Sequence, residues 1–580
     1  MPAVGAGWRG TAMPLRGGLV LLVAGACLLA VGCSRQHYHA QADKSVYGIL
    51  GQKQRLLTGS TNAFTIDTAW SKREPKDIRW EELFGHSKGG GGRRVVTIDE
   101  ALKLAVAGNR QYQFRKEALY LTTLTLTRER REFKKIPFGT GTLGVARESD
   151  GDGRAEGGAR VGFTEFFQTG GDISVTLAND LLRYFTGDPR REVTTVMSLT
   201  LNQPLLRGAG ADIVAENLRQ AERDVIYDLR AFALFQQTFA LDVVTTYYRL
   251  LQRKDAVRNA WNNFEKLRKT RELLEAQSMA ERRAKFEVDQ ARQQELQGKT
   301  AYIGAVVAYQ NALDQFKITL VLPLGVDVAL EDSALEDLRH TGLMPVATDE
   351  EAAFAAAVER KLDILNAIDQ LEDKKRKIVV AANALRGNVT LVSGVSLAND
   401  SVNYSKFDLS QYRANAGLQL DLPFERMLQR NAYRTTLITF ERSLRELGQT
   451  LDLSRDSVRQ GLRTLEQLQQ NYIIQTNALE LANRRVAVTD MLLQAGRAQT
   501  RDQLEAQTAQ LTAQNAVTQT LVDHLTARLR FLVDVGRLQI EGEKWWLRPQ
   551  PVPSPVRPLP VRPGTVSDQA VASPEQVFGN

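Results

Sequence analysis

The sequence predicts a mainly α-helical protein with a small β part, organised as an internal tandem repeat. Three observations predict this fold class. Long stretches without proline carry apolar residues at three- and four-residue steps, which is the spacing of an amphipathic helix. Shorter stretches alternate polar and apolar residues, which is the spacing of a strand. Both patterns occur twice in the same order, and such self-similarity indicates a repeat architecture.

The composition agrees with an extended helical body. The chain has 580 residues, of which 43% are apolar and 24% charged, so wholesale disorder is excluded. The 75 basic and 67 acidic residues give a net charge of +8. These charges are interleaved, as in "TRERREF" and "RKTRELLEAQ", and that pattern is typical of solvated helix faces. We therefore expect no nucleic-acid partner.

The N-terminus predicts a secretory signal over residues 1–32. Arg9 and Arg16 precede the apolar run "GGLVLLVAGACLLAVGC", and a polar segment follows. This is the only long apolar run, so no transmembrane helix is expected in the mature chain. Cys33, in "LLAVGCS", lies in a sequence that resembles a bacterial lipobox, which predicts lipidation of Cys33. The alternative is a plain signal peptide with an incidental cysteine.

Cleavage before Cys33 removes Cys27, the only other cysteine. The mature chain then has no disulfide and no thiolate metal site. Residues 33–95 are expected to form an irregular, lipidated lead-in that ends in the flexible "GHSKGGGGRR".

The first repeat is predicted over residues 96–325. Helix signals begin at Thr97, and helical spacing continues to Phe133. From about residue 139 to 202 the period changes to two, in "RVGFTEFF", "DISVTLAN" and "TTVMSLTL". The segment "ESDGDGRAEGG", with Asp150 and Asp152, is interpreted as a hairpin loop because it lacks the remaining ligand spacing of a calcium loop. Residues 205–322 contain no proline, and we expect a hairpin of two long helices there.

A second repeat is predicted over residues 348–546, after a linker at 326–347. Asp99-Glu100-Ala101 and Glu350-Glu351-Ala352 correspond at an offset of 251, and the two hairpin tips at an offset of 215. Pro204 and Pro423 correspond at an offset of 219. The fall from 251 to 219 places about 32 extra residues in the first β segment, as a longer loop or an additional hairpin. Residues 547–580 are rich in proline and are expected to be disordered.

The second long helix has a coiled-coil seam. Its apolar residues step by three and four within one heptad frame, at Leu437, Phe440, Leu444, Leu447, Leu451, Val458, Leu462, Leu465 and Tyr472. Gly496 then allows a turn, and a return helix is expected to run to about Val533.

The strand segments predict a membrane barrel. Their alternation fits one face toward lipid and one toward water, and a spanning strand needs only about 9–11 residues. We predict two strand pairs, hence four strands, in each chain. Because open sheet edges cannot persist in a bilayer, other copies have to complete the barrel.

Two strand-to-helix turns carry a family resemblance: "SLTLNQPLLRGAG" around Pro204 and "GLQLDLPFERMLQ" around Pro423. With the signal, the lipobox and the doubled helix–strand–strand–helix plan, they resemble the TolC family of outer-membrane factors over roughly residues 90–540. The resemblance implies a homotrimer in which twelve strands form a transmembrane β-barrel, continuous with a periplasmic barrel of long coiled-coil helices. Both prolines are expected in the first turn of a tunnel helix, where the missing N–H is tolerated.

The resemblance also implies a pore constriction at the periplasmic hairpin tips. Asp502 and Glu505 match the family's pair of inward-facing aspartates, and their i, i+3 spacing places both on one helix face. Glu287 and Gln290 hold the corresponding places in the first hairpin. A ring of such carboxylates from three copies would favour cations, and its members would raise one another's pKa. The alternative is a solvated helix face.

The same tips are the expected contact with a periplasmic adaptor protein, through Gly496, Arg497 and Gln277. Leu493 and Ala498 occupy the positions at which the family has a latch tyrosine and arginine. This chain therefore lacks those two latch side chains.

These inferences predict a passive exit duct of a tripartite efflux or type I secretion system. Its partners would be a periplasmic adaptor, an inner-membrane transporter and outer-membrane lipid. No cofactor and no catalytic residue are predicted, because the five histidines are scattered and no HExxH or phosphate-binding glycine motif is present.

Two alternatives stay open. One is a periplasmic coiled-coil tether without a pore, which would have no use for alternating strands. The other is an enzyme acting on peptidoglycan or a polysaccharide, in which Asp502 and Glu505 would be the catalytic pair.

Overall fold

The computed structural model describes residues 35–58, 64–80, 94–147, 153–184, 191–399, 407–541 and 546–549. The predicted signal, Cys33, the loop residues Asp150 and Asp152, and residues 550–580 lie outside the described residues. The helices are α1 (Arg35–Thr58), α2 (Ile98–Gly108), α3 (Arg110–Glu132), α4 (Ala211–Val214), α5 (Glu216–Met279), α6 (Lys285–Thr319), α7 (Ser333–Thr341), α8 (Glu350–Arg360), α9 (Leu362–Asn383), α10 (Met427–Gln494) and α11 (Thr500–Asp534), with a short 3-10 turn at Pro75–Asp77.

The strands form three sheets. They are β1 (Arg94–Val96), β2 (Ile136–Arg147), β3 (Gly153–Phe166), β4 (Asp172–Tyr184), β5 (Arg191–Pro204), β6 (Val328–Leu330), β7 (Asn388–Asn399), β8 (Phe407–Asp421), β9 (Leu538–Glu541) and β10 (Trp546–Pro549). The main sheet has six antiparallel strands in the order β2-β3-β4-β5-β7-β8. Within the described parts of the chain, no helix is long and apolar enough to cross a membrane.

The prediction of four strands per chain is wrong, because the sheet has six. The extra length in the first half is an additional hairpin, β3–β4, that lies inside the sheet between β2 and β5. The sequence of β2, "IPFGTGTLGVAR", has three glycines among its twelve residues, and glycine is depleted in strands. Pairing with β3 along its whole length holds β2 in the sheet.

The predicted irregular lead-in is also wrong over Arg35–Thr58, which forms α1. Val46 and Leu50, one helical turn apart, are fully buried on the side that packs against the rest of the chain. The Tyr120 hydroxyl on α3 donates to Asp43 Oδ1 at 2.7 Å, and Lys53 Nζ donates to a backbone carbonyl of α5 at 3.2 Å. Most of the segment is polar, so its two buried positions gave a weak helical signal.

The single helix predicted from Thr97 to Phe133 is two helices that break at Asn109. The Asn109 side chain accepts hydrogen bonds from the N–H groups of Gln111 and Tyr112 and so caps α3. Thr97 caps α2, and Asp349 caps α8 in the same way. These two caps are 252 positions apart, one more than the offset that the acidic residues suggest.

Two long helical hairpins contain the longest helices of the molecule, as predicted. One consists of α5 and α6, the other of α10 and α11. At ~1.5 Å per residue, the 64 residues of α5 and the 68 of α10 are each on the order of 100 Å long. The two return helices, α6 and α11, each have 35 residues and begin 215 positions apart, at Lys285 and Thr500.

The four long helices lie side by side in the order α6-α5-α11-α10. On α10, the predicted seam residues Val458 and Leu465 are buried in a small core with Ala353 of α8 and Phe531 of α11. Leu444, nearer the sheet, is exposed. The larger core lies where α1, α2 and α3 pack on α5.

Strands β1 and β6 pair in parallel within that core and join the end of the lead-in to the linker between the two halves. The buried hydroxyl of Tyr247 donates to the carbonyl of Val96 at 3.2 Å. At the other end of the second half, β9 and β10 form an antiparallel pair. The predicted disordered tail therefore begins with a strand, over residues 547–549.

A buried ionic network joins α5 to α9 at the ends nearest the sheet. Asp373 is almost inaccessible, with 4% of its side chain exposed. Its Oδ1 lies 2.5 Å from Arg223 Nε and 2.9 Å from Arg376 Nη1, and its Oδ2 accepts from the Tyr227 hydroxyl at 2.6 Å. Arg376 also pairs with Glu216, the first residue of α5. Two guanidinium groups thus pair with the charge of the buried carboxylate, as a buried charge requires.

Candidate functional site

The six-stranded sheet has one apolar face. Side chains alternate along each strand, and the register brings residues of like character together across all six strands. For example, Leu177 lies between Val161 and Met197. The apolar face comprises Leu143, Val145, Val161, Phe163, Val175, Leu177, Met197, Leu199, Val395, Leu397, Leu418 and Leu420. Leu143 is 86% exposed in the single chain. An exposed apolar face of this extent indicates contact with lipid or another protein.

The opposite face of the sheet is mainly polar. Thr176 lies between Gly162 and Ser198, and Thr200 lies between Ser174 and Gly394. The face includes Thr140, Thr142, Glu156, Arg160, Thr176, Asp180, Ser198, Thr200, Ser396, Arg413, Asn415 and Gln419. A polar inner face and an apolar outer face are what a water-filled membrane barrel requires.

The sheet has two open edges, β2 and β8. Because the number of strands is even and every neighbour is antiparallel, β2 and β8 run in opposite directions. The β8 edge of one copy can therefore pair with the β2 edge of another and continue the antiparallel order.

The helix layer also has two open edges, α6 and α10, and each carries an exposed apolar stripe. On α6 the stripe is Leu296, Ile303 and Val307. On α10 it is Ile474, Leu481, Val488 and Leu492. The steps of seven and four are those of a helix–helix seam. Since α10 directly follows β8 in the chain, the β8 edge of the sheet and the α10 edge of the helix layer lie on the same side of the molecule.

The two hairpin tips have the same backbone turn, 215 positions apart. After α10, the N–H of Gly496 bonds to the carbonyl of Leu493, and the N–H of Arg497 bonds to that of Leu492. This is a Schellman cap, with Gly496 at a φ of 69°. After α5 the equivalent position is Glu281, which adopts a φ of 57° although it is not glycine.

The tips are joined by side chains that the sequence analysis did not connect. Thr500 Oγ1, on the first residue of α11, donates to Glu287 Oε2 at 2.5 Å. Arg283 Nη1 lies 3.2 Å from the same carboxylate oxygen, and Arg283 Nη2 donates to the carbonyl of Ala498 at 3.3 Å. Glu287, predicted to ring the pore, links the first hairpin to the second within one chain.

Asp502 and Glu505 are both exposed on α11, but they have different surroundings. Asp502 Oδ2 accepts from the backbone N–H of Gln499 at 3.3 Å and completes the capping box that starts the helix. Glu505 accepts from Arg501 Nε at 2.9 Å and lies 3.5 Å from Arg485 Nη2.

Arg501 lowers the pKa of Glu505 from its ordinary value, first through its hydrogen bond and then through its charge, and Arg485 adds to the effect. The predicted rise in pKa concerns carboxylates of three copies in a ring, whereas within one chain the two arginines lower the pKa of Glu505. The two arginines also compensate the charge that Glu505 would contribute to a cation-selective ring.

Glu505 faces a groove of about 550 Å³ over α11. The groove takes residues from α6, α10 and α11, so it lies on the concave side of the helix layer. Its lining is polar or small: Gln294, Gln475, Ala478, Ala482, Glu505, Thr508, Ala509, Thr512 and Ala513. In the described parts of the chain, no cluster of His, Cys, Asp and Glu side chains could hold a metal ion.

The remaining predicted residues lie as follows. Gly496 and Arg497 are exposed at the second tip, while Gln277 is half-buried in the last turn of α5 and Gln290 half-buried on α6. Pro204 is the last residue of β5, and Pro423 lies in the link between β8 and α10. The prediction that both prolines lie in the first turn of a helix is wrong, since α5 begins at Glu216 and α10 at Met427.

Leu493, at the position of the family's latch tyrosine, is fully buried. Sequence reasoning missed Arg283, Thr500 and Arg485. An offset of 215 pairs Lys285 with Thr500, but nothing in the sequence indicates that Thr500 contacts Glu287.

Among solved structures, the chain resembles outer-membrane channels. It superposes on the outer-membrane channel OprN with a TM-score of 0.56, at 14% identity, covering 82% of this chain and 97% of that one. It superposes on the CmeC outer membrane channel of Campylobacter jejuni with a TM-score of 0.54, at 12% identity, covering 82% of this chain and 92% of that one. For the outer membrane protein VceC of Vibrio cholerae the TM-score is 0.55 and the identity 12%, covering 76% of this chain and 96% of that one.

No protein-family model and no curated protein matches the sequence. The chain shares with these channels a fold built from long helical hairpins and a small sheet. The fold is that of the TolC-like outer-membrane factors, as the sequence resemblance indicates.

Proposed function

We propose that the protein is an outer-membrane exit duct, formed by three copies of the chain, that completes a tripartite efflux or type I secretion system. Substrates pass passively through the lumen, and no reaction is catalysed. An inner-membrane transporter supplies the energy, and a periplasmic adaptor binds the hairpin tips. Lipid attached to Cys33 anchors the protein at the outer membrane.

The observation that carries this proposal is the pair of matching open edges. The sheet ends in β2 on one side and β8 on the other, and the helix layer ends in α6 and α10. An association in which each copy presents one edge to the next uses both edges and closes into a ring. The same ring would place the polar sheet face and the groove over α11 on the inside.

The element order also supports the proposed tandem repeat. Each half consists of two short helices, a set of strands, a very long helix and a 35-residue return helix. Two such halves per chain give four tunnel helices, and three copies give twelve around the duct. Similar solved structures include an open state of the MtrE outer membrane channel of Neisseria gonorrhoeae and structures of CusC that concern transmembrane channel formation.

A planar-bilayer measurement tests the duct. The purified oligomer should give steady single-channel currents, and Glu505→Gln should shift the ion preference toward anions because Arg501 and Arg485 lose their counter-charge. Glu480→Gln is the control, since Glu480 is an exposed carboxylate on α10 that does not line the groove.

The alternative hypothesis, a periplasmic tether without a pore, predicts a different result in the planar-bilayer measurement. A tether would assemble through its helices and give no current, with the wild-type chain or with either variant. An oligomer that is well folded, inserted in the membrane and silent in every form would overturn the duct in favour of the tether.

A further inference from the structure

We propose that the membrane barrel of this protein has eighteen strands, with the β3–β4 hairpin forming part of its wall in every copy. The inference rests on the proposed ring of three chains. It departs from the twelve strands that the family resemblance implies, because each chain contributes six strands and not four.

The first argument is the register. Strand β3 pairs with β2 from Ile136↔Thr164 to Arg147↔Gly153, and β4 pairs with β5 from Asp172↔Asn202 to Arg183↔Arg191. A hairpin lying above the membrane would leave β2 paired directly with β5. Here β2 and β5 are separated over their full lengths, and removing β3–β4 from the wall would break both ladders.

The second argument is the pattern of the faces. Val161, Phe163, Val175 and Leu177 continue the apolar face across the inserted hairpin, and Arg160 and Thr176 continue the polar face. Strands β3 and β4 have 14 and 13 residues, enough for a tilted strand to span the hydrocarbon core. The hairpin thus meets the same requirements as the four other strands.

The third argument compares the width of the sheet with the width of the helix layer. With strands ~4.8 Å apart and tilted by ~40°, six strands occupy roughly 38 Å of a barrel's circumference. Four helices packed 8–10 Å apart occupy about 32–40 Å. The sheet and the helix layer of one chain are therefore equally wide, and both can close under the same three-fold symmetry without splaying.

The consequence is a wider exit. By the same geometry, the backbone of an eighteen-stranded barrel is roughly 36 Å across, against about 24 Å for twelve strands. The narrowest part of the duct then lies at the hairpin tips, and the outer-membrane barrel admits cargo of larger cross-section.

Electron cryo-microscopy of the purified full-length oligomer tests this directly. A matched variant lacks residues 153–190, so that β2 and β5 become neighbours. Strands β2 and β5 already run antiparallel, and the residues that each contributes to the apolar face have odd numbers. Direct pairing of the two strands therefore keeps these residues on one face of the shortened sheet and the polar residues on the other. We expect eighteen strands and a diameter of about 36 Å for the wild type, and twelve strands and about 24 Å for the variant.

The outcomes separate this inference from the proposed function. A three-fold wild-type ring with only twelve strands in its wall, and the β3–β4 hairpin outside it, would overturn the inference and leave the duct standing. Wild-type particles that form no closed ring would overturn both. The wild-type map decides the question even when the deletion variant does not assemble.

Discussion

Thr500 and Glu287 are 213 positions apart in the sequence, yet the Thr500 hydroxyl donates to a carboxylate oxygen of Glu287 at 2.5 Å. The contact holds the first turn of α11 against the first turn of α6, where the two hairpins of one chain meet. In the proposed duct, widening the end at the hairpin tips would require the hairpins to move apart, so this hydrogen bond would favour the closed arrangement.

Replacing Thr500 with valine, which has nearly the same shape, should therefore favour opening. A hydrogen bond to a charged group contributes about 1.5–3 kcal/mol, so the ratio of open to closed channels should rise about ten- to a hundredfold. Single-channel open probability measures this change. Thr489→Val is the control, because the Thr489 hydroxyl bonds only to carbonyls of its own helix. Equal effects of the two substitutions would contradict the account.

The pH dependence of ion preference tests the arrangement around Glu505. Arg501 lowers the pKa of Glu505, so its charge, and the stability that its ion pairs contribute, are complete above the ordinary pKa of 4.5 and are lost as pH falls through the lowered value. Preference for anions should then increase, since the arginines lose their counter-charge. Arg501→Gln should move this transition to higher pH, and reversal potentials measured from pH 7 to 3.5 would detect it. Arg484→Gln, on the outer part of α10, should leave the transition unchanged.

Asp373 is expected to be the most sensitive charged residue near the sheet. Asp373→Ala leaves Arg223 and Arg376 in a partly buried site without their shared carboxylate. Removing one partner of a buried ion pair costs about 3–5 kcal/mol, and urea unfolding followed by circular dichroism measures the loss. Asp369→Ala, at a more exposed carboxylate of the same network, should cost clearly less. A smaller loss for Asp373→Ala than for Asp369→Ala would show that Asp373 is not the carboxylate on which this network mainly depends.

Substitutions at the two hairpin turns are expected to change stability in opposite directions. Gly496→Ala should destabilise by about 1 kcal/mol, because alanine disfavours a left-handed φ and no neighbouring atom lies near the new methyl group. Glu281→Gly should stabilise, because the same conformation is unfavourable for glutamate by roughly 1–2 kcal/mol. Thermal unfolding midpoints of the two variants should shift in opposite directions. Shifts of the same sign would mean that contacts at the tips outweigh backbone strain.

The two faces of the sheet predict different responses to the same new charge. Leu177→Arg places a guanidinium on the apolar face, where a charge near the bilayer midplane costs about 2–4 kcal/mol, so outer-membrane integration should fall. Thr176→Arg places it on the polar face and should leave integration intact while changing conductance. Quantifying each variant in membrane fractions distinguishes the two. Equal loss for both would contradict the assignment of faces.

The helical part of the fold could be predicted from the sequence because it depends on local periodicity. The proline-free stretches mark both long hairpins, and Gly496 marks one turn. The equivalent turn at Glu281 has no glycine, and only the offset of 215 points to it. The two prolines mark the boundary between sheet and helix, but neither starts a helix.

The parts that could not be predicted depend on long-range pairing. Strand β2 has too many glycines to show a strand pattern and is held by β3. Helix α1 is defined by two buried residues, Val46 and Leu50, in a polar segment. The link from Thr500 to Glu287 arises only when the two hairpins pack together, and the pairing of Glu505 with Arg485 only when α10 packs on α11.

The measurement that tests the central claim most directly is the reactivity of single cysteines on the two faces of β5. Beyond Cys33 the natural chain has no cysteine, so Thr200→Cys and Leu199→Cys each add one thiol at neighbouring positions on opposite faces. In outer membranes, a water-soluble maleimide should modify Cys at position 200 quickly and Cys at position 199 slowly, because only the polar face lines an aqueous lumen. Equal rates at both positions, or the reverse order, would contradict a duct lined by the polar face of the sheet.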